Sequence, residues 1–269
     1  MAKVILILSD ALRYDTAVAA MGYLGHLVET RRASLYQVTG ELPSMSRPMY
    51  ETLHTGLPTI EHGIVSNAVV RRSTKPNLFE LAARAGKITA AAAYYWFSEL
   101  YNRVPYDPIE DCEVDDAALP IQHGRFYTQD EYPDIDLFNT AARLVRRFQP
   151  DYLLLHAMGM DYTGETYGAD SSQYRNHAIQ QDMWLAPHIA EWTAGGYTIL
   201  VTGDHGIGAD RSHGGTTRDV RDVPLFLAQP GIAGKGNTGE VLSQLQIAPS
   251  VCRLLGLPIP DSMKGTPVV

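Results

Sequence analysis

Short apolar runs and helical stripes alternate along this chain. Lys3–Leu8, Ala33–Val38, Ile88–Ala93, Tyr152–His156, Tyr197–Thr202 and Val223–Ala228 are brief, largely apolar segments. Runs of this length without a helical stripe read as strands buried on both faces. Between them the period changes. Ile135–Phe148 sets Leu137, Phe138, Ala141, Leu144, Val145 and Phe148 on one face of an amphipathic helix, and Gln173–Trp192 predicts a long one. Asn77–Ala85 gathers Leu78, Leu81 and Ala82 on one face and stops at Gly86, while Pro48–His54 predicts a short helix ended by Gly56. Val241–Leu255 predicts a closing helix with Gly256 past its end. Strands spaced by helices imply parallel βαβ units and an α/β fold.

Residues 96–133 break the pattern. They lack a period, carry Pro, Asp and Tyr, and run long for a plain loop, which predicts a lid-like insertion. The 269 residues, 45% hydrophobic, suffice for one α/β domain over 1–269 with that insertion. A net charge of −8 with scattered acids argues against a nucleic-acid polymer as partner. Cys112 and Cys252 fit neither a metal spacing nor a disulfide framework, which predicts a reduced, cytoplasmic setting. The five apolar residues VILIL fall short of a signal-peptide core of roughly 7–15, and no stretch approaches the ~18 apolar residues of a membrane span. A membrane partner is therefore not expected, and homo-oligomerisation stays open.

Candidate chemistry clusters just after the apolar runs. Asp10 follows the first; Ser46 lies in LPSMSRPMYETLHTG; Asp161 lies in HAMGMDYTGE; Asp204 and His205 lie in ILVTGDHG; His213 lies in RSHGG. Open α/β sheets place ligand sites at the carboxyl ends of their strands. Hard carboxylates, a hydroxyl and a few imidazoles gathered there suit two divalent cations. A dinucleotide site is excluded, because no Gly-x-Gly-x-x-Gly follows the first strand.

The spacing of these motifs resembles the alkaline phosphatase superfamily, in its nucleotide pyrophosphatase/phosphodiesterase (type I phosphodiesterase) and phosphonoacetate hydrolase branch. Over SRPMYETLHTGLPTIEHGIVSN, a Ser is followed by Pro two residues on, then Thr-Gly, Pro, His-Gly-Ile, and Asn67 21 residues after Ser46. The resemblance covers Asp10 to about Leu227. It implies an alkaline-phosphatase-like three-layer sandwich with a mostly parallel central sheet flanked by helices. It implies a two-metal phosphoryl ester hydrolase acting on a small-molecule phosphate ester through a Ser46 phosphoryl-enzyme. Asp10, Ser46, Asp204 and His205 would ligate one ion, zinc or manganese. Asp161, His213 and the residue at 165 would ligate the other. Asn67 would donate to a non-bridging oxygen, and a neutral amide there suits a diester.

Two positions depart from the pattern. Glu165 stands where relatives carry His, and an oxygen ligand there favours harder ions such as manganese. Arg47 stands where nucleotide-cleaving relatives carry an aromatic, and could pair with an anionic group of the substrate. Phosphomonoester or phosphonate hydrolysis, or a metal-impaired binding protein, are the rival readings. A sulfatase would need Arg at the end of Ser46-Arg47-Pro48-Met49-Tyr50, and a cofactor-independent phosphoglycerate mutase would need a large inserted domain. Ser44 competes with Ser46 as nucleophile. His62 reads as a structural hydrogen-bonder, His156 as the end of a core strand, and His177 as a remote candidate for the missing ligand. The aromatics Tyr94, Tyr95, Trp96, Phe97, Tyr101, Phe126 and Tyr127 read as core and lid packing.

Overall fold

VILIL, the most apolar run, lies mid-sheet, where a strand needs no polar face. The computed structural model describes residues 3–269. Its strands are β1 (Lys3–Ser9), β2 (Ser34–Thr39), β3 (Thr89–Tyr94), β4 (Glu113–Asp115), β5 (His123–Tyr127), β6 (Tyr152–Ala157), β7 (Tyr197–Thr202), β8 (Asp222–Ala228) and β9 (Gly236–Ser243). They form one sheet in the order β4-β5-β3-β6-β1-β7-β8-β2-β9. The helices are α1 (Tyr14–Ala20), α2 (Gly22–Glu29), α3 (Ser46–Thr55), α4 (Thr59–His62), α5 (Leu78–Arg84), α6 (Trp96–Tyr101), α7 (Asp134–Phe148), α8 (Gly159–Tyr167), α9 (Ser172–Ala194), α10 (Arg218–Arg221) and α11 (Ile247–Leu255).

Alternate side chains of each strand enter opposite cores. Ile5 and Ile7 pack with residues of α2, α7 and α9, whereas Val4, Leu6 and Leu8 pack with residues of α3, α5 and α11. The result is a three-layer α/β sandwich, with the sheet buried on both sides. Among the described residues no helix is long and apolar enough to cross a membrane.

The sheet is mostly parallel, as expected, but β8 runs antiparallel to both β7 and β2. Between β7 and β8 only the four-residue α10 intervenes, so no helical crossover carries the chain back to start a parallel strand. The expected closing helix is corrected at its start: Val241 belongs to β9, a short 3-10 turn follows at Gln244–Gln246, and α11 begins at Ile247. Ser243 forms a capping box with Gln246 at that turn, which ends the strand and starts the helical run. Residues 96–133 contain α6 and the strands β4 and β5, and β5 continues the sheet in parallel beside β3.

Candidate active site

Four sheet-end segments converge at the carboxyl edge. Asp10 follows β1, Asp161 lies in the first turn of α8 just past β6, and Asp204-His205 follows β7. Ser46 opens α3, where the helix's unpaired amides and positive dipole end favour negative charge. Gly56, in the left-handed region at φ 62°, ends that helix as its motif position requires.

The geometry joins these residues. Ser46 Oγ lies 3.1 Å from His205 Nε2. The same Nε2 lies 3.3 Å from Asp10 Oδ1 and 3.4 Å from Asp204 Oδ2. The ring of His213 stacks on that of His205 with centroids 4.3 Å apart, and its Nε2 is 3.8 Å from Asp161 Oδ1 and 3.3 Å from Glu165 Oε1. Ligand atoms of Asp10, Asp204 and His205 form one compact group; those of Asp161, His205 and His213 form a second. Glu165 touches His213 but stays half-exposed and outside both groups.

The electrostatics ask for cations. His205 Nδ1 is 3.0 Å from the Gly206 carbonyl, which can only accept, so the proton sits on Nδ1 and Nε2 carries a lone pair. Burial lowers the pKa of His205 to about 4, against the pull of Asp10, so the ring is neutral. That lone pair faces two carboxylates. Asp10 Oδ1, Asp161 Oδ1 and Asp204 Oδ2 are buried without a hydrogen-bond donor. Burial, reinforced by the charge of Asp10, holds Asp161 and Asp204 well above the usual carboxylate range. Acceptors crowded against acceptors in a dry site are stable only with positive charge among them. The donor set of carboxylates, imidazoles and one hydroxyl suits divalent metal ions.

Other predicted residues fall around this centre. Asn67 Oδ1 accepts from the Arg47 amide at 3.0 Å, which orients the side chain and leaves its two N–H groups as the available donors. Ser44 is turned away: its hydroxyl donates to the Glu41 carbonyl at 3.1 Å, and its own carbonyl receives the Gly214 amide. Arg47 is buried, pairs with Glu99 at 2.8 Å, and stacks on Trp96 at 4.3 Å; Nε and Nη1 remain unpaired. His62 is structural, as expected, bridging Thr52 Oγ1 and the Ile64 amide. His177 binds Asp134 at 2.7 Å and lies in neither ligand group.

Three further residues act on the centre. The Tyr50 hydroxyl donates to Asp10 Oδ2, and His156 Nε2 donates to the same oxygen from 3.1 Å. His156 therefore does more than end a core strand. Burial raises Asp10, but the hydrogen bonds from His156 and Tyr50 help bring it down to about 2. Asp130 lies close enough to Tyr94 and to Asp161 to add to the burial that raises both pKa values. A turn from Ser46 to Tyr50 on one helix face could have suggested the first; nothing in the aperiodic stretch marks Asp130.

The family profile of type I phosphodiesterase / nucleotide pyrophosphatase matches residues 4–215. The chain belongs to this family. Its curated relatives include the human "GPI ethanolamine phosphate transferase 2, catalytic subunit", 27% identical across 98% of this chain and 27% of that protein. The human transferase 3 catalytic subunit is 25% identical across 96% of this chain and 25% of its own length. The chain thus spans about a quarter of these relatives. Murine ectonucleotide pyrophosphatase / phosphodiesterase 5 superposes with a TM-score of 0.77 at 15% identity, covering 98% of this chain and 97% of that one. A phosphonate monoester hydrolase from Silicibacter pomeroyi gives 0.65 at 16%, covering 100% and 76%. The family match, together with these shared folds, bears out the expected alkaline phosphatase superfamily.

Proposed function

We propose that this phosphodiesterase-family domain is a two-metal enzyme that cleaves phosphodiesters through a phosphoryl group held on Ser46. The observation that carries the reading is the convergence of Ser46 Oγ, the His205 Nε2 lone pair and the donorless oxygens of Asp10 and Asp204 on one point. Asp10, Asp204, His205 and Ser46 would hold one divalent ion; Asp161, His213 and Glu165 the other. When bound, the ions supply positive charge for the attacking hydroxyl and for the phosphoryl oxygens.

The chain's residues do the rest. Asp10, clamped by Tyr50 and His156, keeps one oxygen turned to the centre. Ser46 at the start of α3 attacks phosphorus with the helix dipole behind it. The phosphorus–oxygen bond to the leaving alcohol breaks, and that alcohol departs. Asn67 donates to a non-bridging oxygen, and its neutral amide suits the single charge of a diester. Arg47, tied to Glu99, holds the first turn of α3 and keeps Nε and Nη1 as donors for a substrate oxygen. The phosphoserine is then resolved by water or by an alcohol. The relatives named as ethanolamine phosphate transferases support the alcohol branch; Ser46 serves both.

The test is turnover of bis-p-nitrophenyl phosphate and p-nitrophenyl phosphate by chain stripped with chelator and reloaded with zinc or manganese. The diester should be cleaved with the higher kcat/KM, only with metal, and an added primary alcohol should capture part of the product. A monoester preference would move the reading to a phosphomonoesterase, and metal binding without turnover of either ester would leave a binding protein.

A further inference from the structure

A cavity of about 850 Å³ lies between α7 and the β4–β5 edge of the sheet. Ser46, Asn67 and the proposed metal ligands do not line it. A wall stands between the two sites: Tyr127, which lines the cavity, donates its hydroxyl to the His156 carbonyl at 2.9 Å, and His156 in turn holds Asp10.

The lining combines an apolar bed with positive charge. Tyr127, Leu137 and Leu144, which share the core on the α7 side of the sheet, supply buried apolar surface. Four arginines stand against one acid, Glu113, in a chain whose net charge is −8. Two of the four are already neutralised, Arg125 by Asp115 and Arg146 by Glu191, each at 2.9 Å. Arg143 and Arg147 are not. They lie one turn apart on α7 and meet no carboxylate among the described residues. Arg143 Nη2 donates only to Thr140 Oγ1 at 2.7 Å, and the Arg147 guanidinium lies 4.8 Å over the Phe148 ring. Basic residues late in a helix complement its dipole, but that alone calls for no cavity beside them. A volume of this size matches sites that enclose small organic ligands, which are mostly apolar with a few convergent polar groups. Paired guanidinium groups select planar or tetrahedral anions.

We propose that this cavity is a second binding site, for an organic anion. The aromatic or acyl body rests on Tyr127, Leu137 and Leu144, and a phosphate, sulfonate or carboxylate head pairs with Arg143 and Arg147. The site is independent of the reaction proposed for the metal centre.

Calorimetry on the metal-loaded chain tests it with probes that cannot be phosphoryl donors: 1-naphthalenesulfonate for an aromatic body, octanesulfonate for an acyl one, and inorganic sulfate. One or both organic sulfonates should bind saturably at one site. The Arg143→Glu/Arg147→Glu double variant should weaken that binding at least tenfold, while Arg175→Glu, off the cavity, should not. The stronger of the two organic probes identifies the body. Diester turnover should be the same in the double variant, so the outcome is separate from that of the proposed reaction. Absence of saturable binding, equal binding of sulfate, or binding indifferent to the double reversal would overturn the proposal.

Discussion

The Tyr50 hydroxyl donates to Oδ2 of Asp10, one helical turn beyond Ser46 on the same helix. The nucleophile's helix therefore also sets the carboxylate that faces it. With His156 on the same oxygen, Oδ1 is the one left toward His205. Partners of this kind typically contribute 10–100-fold to metal affinity. Tyr50→Phe should weaken zinc or manganese binding by about that factor, read by chelator competition, with the thermal midpoint of the metal-free protein little changed. Unaltered affinity would show that Asp10 needs no such clamp.

Glu165 lies one turn from Asp161 on α8, on the same face. Its contact with His213 puts a further negative charge beside Asp161, whose pKa burial and the charge of Asp10 already raise. Glu165→His should tighten zinc binding and raise zinc-supported diester turnover tenfold or more, which corresponds to ~1.4 kcal/mol in the transition state. A variant no faster with any metal would show that position 165 does not limit the site.

Glu51 is fully buried on α3, with Ser73 and Tyr101 donating to its carboxylate. Burial nevertheless raises its pKa from 4.5 to about 7. A carboxyl raised on folding stabilises most below its unfolded pKa, and that contribution disappears as pH climbs through the folded value. At 1.36 kcal/mol per unit, about 3 kcal/mol should be lost between roughly pH 4.5 and 7. Glu51→Gln should flatten that window, so denaturant melts at pH 5 and pH 8 should differ less in the variant than in the wild type. Equal differences would refute the assignment.

Much of this architecture is legible in the chain. VILIL, YLLLHA and YTILVT are buried on both faces, so their apolar runs announce parallel central strands, and ligands placed immediately after them land at one edge. Edge elements are less visible. β4 and β5, the edge strand and its neighbour, lie in a stretch without period, because strands partly open to solvent need no continuous apolar run. The direction of β8 depends on the short connection before it, which local pattern does not encode. In the site, Asp10, Ser46, Asp204, His205 and His213 are announced by motif. Tyr50, His156 and Asp130 act through contacts spanning distant segments; of the three, spacing hints only at Tyr50, one turn from Ser46 on α3.

The central claim is that Ser46 carries the phosphoryl group. The direct measurement is mass spectrometry of peptides from metal-loaded chain, acid-quenched during turnover of bis-p-nitrophenyl phosphate. The account predicts a phosphoryl adduct on Ser46, absent from Ser44 and absent without metal. Turnover with an adduct on Ser44 instead, or with no adduct on any residue at times when product is accumulating, would contradict it.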